Sequence, residues 1–153
     1  MHPRGGPARN GPRMNSPAPL AVVQELYAAF ARGDLPALLA RMHPDVEWAA
    51  NVDYALPAAR RVPCYEPGRG RDFVTQYFQR ILAGYEMQQF DPVGWMAGGD
   101  EVAVRIVVDF TIRPTGRRIK TEVIHHWVVG ADGLVTRFRD FEDTLAWSGA
   151  WGA

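Results

Sequence analysis

Cysteine is nearly missing from this 153-residue chain: Cys64 stands alone. No internal disulfide can staple the fold, and no CxxC pair is present for redox work or metal capture. Net charge is lacking too, since 17 Lys and Arg balance 17 Asp and Glu. A chain without cationic excess is not built for general nucleic-acid affinity, which comes from neutralising phosphates. No segment approaches the roughly 20 successive apolar residues that cross a bilayer, and the N-terminus lacks the apolar run of a secretory signal. The expectation is a cytoplasmic protein without a membrane or nucleic-acid partner. Phosphate loop, dinucleotide fingerprint and Gly-x-Ser-x-Gly are all absent. His125, His126, Asp140, Glu142 and Asp143 have no recognisable metal-ligand spacing, so no metal and no cofactor is expected.

What is present is enough for one core: 47% of residues are apolar and 11% aromatic, which suits a single domain that folds without staples. Residues 1–19 differ from the rest. They hold Pro3, Pro7, Pro12, Pro17 and Pro19 and three arginines but no acid, and read as a flexible tail that buries too little apolar surface to offset its ordering entropy. A domain over 20–147 and a short tail over 148–153 follow.

Periodicity orders the domain. Leu20, Val23, Tyr27 and Phe30 recur on one helix face that Gly33 ends; Asp34 caps a second helix striped by Leu35, Leu38, Leu39 and Met42, which His43-Pro44 terminates. Val46-Glu47-Trp48 reads as a short strand, and 51–71 as an irregular loop with Pro57, Pro63 and Pro67. Asp72 stands where it would cap a third helix, with Phe73, Val74, Tyr77, Phe78, Ile81 and Leu82 inward and Gly84 at its end. The period then switches to two: Phe90–Met96, Glu101–Arg113, Lys120–Val129 and Leu134–Phe141 predict a four-strand antiparallel meander with tight turns. The class is α+β, a curved antiparallel sheet with three N-terminal helices packed on one face.

Several words of the chain carry a resemblance: Leu26-Tyr27-Ala28-Ala29-Phe30-Ala31-Arg32-Gly33-Asp34, His43-Pro44-Asp45-Val46-Glu47-Trp48, Gly70-Arg71-Asp72-Phe73-Val74, Pro114-Thr115-Gly116-Arg117, His125-His126-Trp127 and Arg139-Asp140-Phe141-Glu142-Asp143-Thr144. In this order they resemble the SnoaL-like and ketosteroid-isomerase-like branch of the nuclear transport factor 2-like superfamily. That resemblance implies a cone-shaped fold with a pocket between helices and sheet, and a homodimer through the outer sheet face. The superfamily spans enzymes and binding modules, so function rests on the site.

Strand parity puts Val123, His125, Trp127 and Val129 on one face and Thr136, Phe138, Asp140 and Glu142 on one face of the next strand. The resemblance sets His125 at the ketosteroid isomerases' oxyanion-hole acid, and SnoaL-like cyclases carry a functional histidine and an aspartate base on this strand pair. Asp140 is therefore the candidate base and His125 its orienter or the donor to a developing enolate. The same two residues equally read as a buried pair that only fixes the sheet. Trp48, Phe78, Trp95, Trp127 and Phe138 are candidates for an apolar cage around a small hydrophobic ligand, and Asn51 and Tyr54 for its mouth.

Departures narrow the chemistry. Trp48 replaces the ketosteroid isomerases' base and Leu26, not Tyr27, falls at their hydroxyl donor. Limonene epoxide hydrolase is similar around Asn51, Gly70-Arg71-Asp72 and Arg139-Asp140-Phe141, but its arginine and second aspartate fall on Ile106 and Val108. Arg105 and Asp109 face the other way, as a cross-strand or dimer-side pair. The leading expectation is a cofactor-free cyclase, isomerase or hydratase acting on a small apolar carbonyl or polyketide-like compound. The alternatives are a non-catalytic hydrophobic-ligand or dimerisation module, and an epoxide hydrolase.

Overall fold

The computed structural model describes residues 18–152, so most of the expected N-terminal tail lies outside the described residues. The elements are α1 (Pro19–Ala31), α2 (Leu35–Ala40), β1 (Met42–Ala50), α3 (Pro57–Arg60), β2 (Gly68–Arg69), α4 (Arg71–Gly84), β3 (Tyr85–Gly98), β4 (Glu101–Ile112), β5 (Arg118–Val129), β6 (Val135–Phe141) and α5 (Thr144–Trp151).

Local chemistry accounts for most boundaries. Gly33 follows α1 with φ +71°, a conformation that costs glycine little. Asp34 caps α2 by accepting from the amide of Ala37 at 3.0 Å, one of the orphan donors of a helix start. Asp72 does not cap α4: Gly70 is the N-cap, and Asp72 lies in the first turn, where its charge still favours the helix dipole. Leu82 is 65% exposed, not inward.

The six strands form one curved open sheet in the order β2-β1-β6-β5-β4-β3. The meander β3 to β6 is antiparallel throughout, as the alternating pattern predicts. β1 adds to it in parallel with β6, which places the last strand inside the sheet. The helices cover the inner face, where Val102, Val104, Ile106, Val108, Phe110 and Ile112 of β4 are all buried.

Three expectations change. The described residues hold five α-helices, because the loop after β1 contains α3, beside a 3-10 turn at Pro63–Tyr65, and α5 follows β6; α3 and the 3-10 turn are both opened by proline, whose fixed φ suits a helix's first turn as well as a loop. β1 begins at Met42 rather than Val46, with an irregularity that absorbs His43 and Pro44. The expected tail from 148 is instead the second half of α5, capped by Asp143, with Trp147, Ser148 and Ala150 buried. Its C-terminal carbonyls are held by the β4–β5 turn: Thr115 Oγ1 donates to Ala150 O at 2.7 Å and Arg117 to the carbonyls of Gly149 and Gly152.

Candidate functional site

Two adjacent rungs of the sheet build the site. In one, Trp48 of β1, Phe138 of β6 and Trp127 of β5 are direct neighbours. The Trp48 and Phe138 rings stack at 4.1 Å, and Phe138 and Trp127 lie 4.6 Å apart. In the next rung, Ala50, Asp140 and His125 stand side by side. A strand period of two turns both rungs toward the helices, and they face a cavity of about 80 Å³. That is room for on the order of five water molecules or one small ring. Its walls are mostly aromatic, with Tyr27, Phe78, Phe90, Phe110 and Trp147 among them, and its polar groups cluster at His125, Asp140 and Glu142. A groove of about 480 Å³ between α1, α4 and β3 adjoins it, and Tyr27, Phe30, Leu38, Phe78, Met87 and Phe90 line both spaces.

A chain of hydrogen bonds fixes the histidine. The indole N–H of Trp127 donates to the Tyr27 hydroxyl at 3.0 Å, and that hydroxyl lies 2.7 Å from His125 Nδ1. Among the described residues Nδ1 is the one acceptor the hydroxyl proton meets, so the phenol donates to Nδ1. The neutral imidazole then carries its proton on Nε2, which faces Asp140 Oδ1 at 3.7 Å. That is longer than a hydrogen bond.

Burial sets the protonation states. It pushes His125 down to about 3, so the imidazole is neutral at ordinary pH. It pushes Asp140 up to about 7, opposed in part by the neighbouring Glu142 carboxyl. Burial and the Asp140 charge hold Glu142 well above the usual carboxylate range. Burial likewise keeps Tyr27 and Tyr77 as neutral phenols and pushes the Cys64 thiol up to about 12, which makes it a poor nucleophile. Asp140 Oδ1 and the indole nitrogens of Trp48 and Trp147 are buried without a hydrogen-bond partner.

The sequence candidates divide cleanly. His125, Asp140, Trp48, Phe78, Trp127 and Phe138 all line the cavity. Trp95, Asn51 and Tyr54 are not among its lining residues. Trp95 packs edge-on behind Tyr27, ring centres 5.4 Å apart. Asn51 is exposed and serves through its backbone, its amide donating to the Asp140 carbonyl at 2.7 Å. Tyr54 packs half-buried against the core, and its carbonyl accepts from Arg60.

Sequence reasoning overlooked Tyr27: it sits one position from the aligned hydroxyl donor, and helix rotation brings its ring to His125 regardless. Glu142 was marked only by its parity with Asp140. Cys64, the lone cysteine, also lines the cavity. Arg105 and Asp109 face the outer side as expected but do not pair with each other. Arg105 meets Glu122 at 2.8 Å, and Arg118 grips Asp109 with two bonds of 2.6 and 2.7 Å. Ile106 and Val108 fill the inner positions, so the epoxide hydrolase arrangement has no arginine or second aspartate in the cavity. Among the described residues no group of three or more His, Cys, Asp or Glu is placed to hold a metal ion, and no helix is long and apolar enough to cross a membrane.

An open sheet wrapped on one face by helices, with an aromatic cavity between, defines the nuclear transport factor 2-like class. An NTF2-like protein from Burkholderia thailandensis superposes with a TM-score of 0.76 at 28% identity, over 90% of this chain and 99% of that one. TerC, co-crystallised with polyporic acid, gives 0.72 at 23% identity over 88% and 98%. A candidate SnoaL-like polyketide cyclase from Mesorhizobium loti gives 0.63 at 19% identity over 80% and 97%. The model of the SnoaL-like domain matches residues 23–138. The chain belongs to the SnoaL-like family. No protein of curated function matches it.

Proposed function

We propose that this SnoaL-like protein is a cofactor-independent acid/base enzyme that moves a proton beside a carbonyl of a small apolar, ring-containing substrate. Asp140 is the base: its carboxylate takes a proton from the carbon next to the carbonyl, the C–H electron pair passes to the carbonyl oxygen, and an enolate forms. His125, neutral and donating from Nε2, orients Asp140 or meets the developing oxygen charge. Return of the proton to another atom completes an isomerisation, or the enolate attacks an internal electrophile and closes a ring. The observation that supports this most directly is the Asp140–His125 rung. An ionisable pair on neighbouring strands faces an otherwise apolar cavity, and burial moves the carboxylate toward neutral pH, where a general base works best.

The aromatic walls favour flat apolar substrates, and the adjoining groove gives a path by which a larger one extends outward past Phe30, Phe78 and Phe90. The test is deuterium incorporation from heavy water into a panel of cyclic ketones and 1,3-diketones, followed by mass spectrometry. Exchange above the buffer rate is expected, falling on the order of 10²- to 10⁴-fold in Asp140→Asn. Binding of panel members with exchange at the buffer rate would make the protein a ligand-binding module instead.

A further inference from the structure

The cavity lining holds one carboxyl group that the reading above leaves idle. Glu142 lies two residues beyond Asp140, on the same face of the chain, and both side chains line the same small cavity. Their i, i+2 placement and their shared lining of a cavity of about 80 Å³ bring the two carboxyl groups together, and neighbouring carboxyl groups without a cation do not both ionise. Glu142 is half-buried just past the end of β6. Around the pair stand His125 from β5, Tyr27 from α1, Tyr77 from α4, Tyr85 from β3, and Cys64 and Tyr65 from the 3-10 turn. None of these is a cation at neutral pH, given the buried neutral imidazole. No Lys or Arg is among the lining residues, and Arg80 of α4, whose charge reaches Cys64, is already paired with Glu66 at 2.7 Å, so the site stabilises one negative charge at most.

We propose that Glu142 is a positioning residue that acts through Asp140: the two carboxyl groups hold a single proton between them, and the protonated Glu142 donates to Asp140 and keeps it ionised as the base. The inference rests on Asp140 being the base, yet it concerns the protonation of the pair and is measurable without any substrate. When Asp140 takes a substrate proton, the pair passes from one bound proton to two and from one negative charge to none; the charge moves to the enolate oxygen. Return of that proton to the product restores the shared state, so no outside donor is consumed. The Asp140–Glu142 pair is thus the acid/base unit, with the Tyr27–His125 arm on its other side.

The test is a carboxyl-carbon NMR titration of protein labelled at Asp and Glu side chains, on the wild type, Glu142→Gln and Glu142→Leu. A glutamine amide still donates to Asp140 without charge, so in Glu142→Gln the Asp140 resonance is expected to titrate within about half a pH unit of its wild-type midpoint. Leucine fits an apolar wall but donates nothing, and the Asp140 midpoint is expected to rise by at least one pH unit. Rescue by glutamine separates a donor from a mere space-filler. An unchanged midpoint in Glu142→Leu, or equal midpoints in the two variants, would overturn the proposal. The NMR result stands even if no panel compound exchanges, so failure of the enzymatic reading and failure of the shared proton are distinguishable. Circular dichroism on each variant checks that both are folded, and Glu142→Gln alone still decides if Glu142→Leu is not: a midpoint moved by more than one unit contradicts the shared proton.

Discussion

Trp127 and Tyr27 are joined by a 3.0 Å hydrogen bond from indole to hydroxyl, and this bond between a sheet and a helix holds the hydroxyl 2.7 Å from His125 Nδ1. Among the described residues Nδ1 is the one acceptor for the hydroxyl's proton, which leaves the neutral ring's own proton on Nε2. Tyr27→Phe removes that donor and strands the buried Trp127 N–H, at a cost of about 1–3 kcal/mol. Urea unfolding should register that loss. Nitrogen-15 spectra of the imidazole should change from a single Nε2–H tautomer to a mixture; an unchanged single tautomer would show that Asp140 alone orients the ring.

Asp140 is held at about 7 by burial, against an ordinary carboxylate near 4 in the unfolded chain. Between those values the folded protein binds more protons than the unfolded one. Stability therefore falls as pH rises across that window, and the loss is complete above it. Asp140→Asn removes the buried charge. It should match the wild type near pH 4 and exceed it at pH 8 by about 2 kcal/mol or more, while losing activity. Denaturant melts at the two pH values measure this, and equal stabilities at pH 8 would mean that the carboxylate is better solvated than its surroundings indicate.

The rate of proton abstraction should follow the ionised fraction of Asp140. His125 is neutral down to about 3 and adds no limb in the working range. The profile of kcat/KM should rise with a midpoint near 7 and drop about tenfold per unit on the acid side. A midpoint near 4 would point to a base exposed to water.

Trp48 and Trp95 make a matched contrast. Trp48 is 2% exposed, and its ring meets those of Tyr77, Phe78, Trp127 and Phe138. Trp48→Ala should cost about 3–5 kcal/mol of stability. Trp95 lies behind Tyr27, off the cavity wall, so Trp95→Ala should lose less stability and leave the deuterium exchange rate within about twofold of the wild type. Chemical denaturation and the exchange assay test both.

Much of this arrangement was legible because strand parity is a strong rule. Once β5 and β6 are antiparallel neighbours, His125 and Asp140 must share a face with Trp127 and Phe138, and alternation alone places them there. What parity does not carry is the join between distant elements. Tyr27 looks like one more apolar position on α1 until the helix's rotation over β5 is known. Trp95 looked like a wall residue, yet β3 has two irregularities before it, near Met87 and near Pro92, and a bulge re-aims the residues that follow it. The 148–151 segment lacked a strong apolar period because α5 is buried by a few large residues, Trp147 above all, rather than by a stripe.

The parallel pairing of β1 with β6 has a consequence for biosynthesis. The strand that bears Asp140 is the last to leave the ribosome, and it must enter between two segments already made, one of them translated ninety or so residues earlier. Until it arrives, β1 and β5 each present an unpaired border, a state open to mispairing. Assembly of the Asp140–His125 rung and closure of that gap are one event, so a nascent chain stalled before residue 135 exposes sticky edges and has no Asp140 to offer.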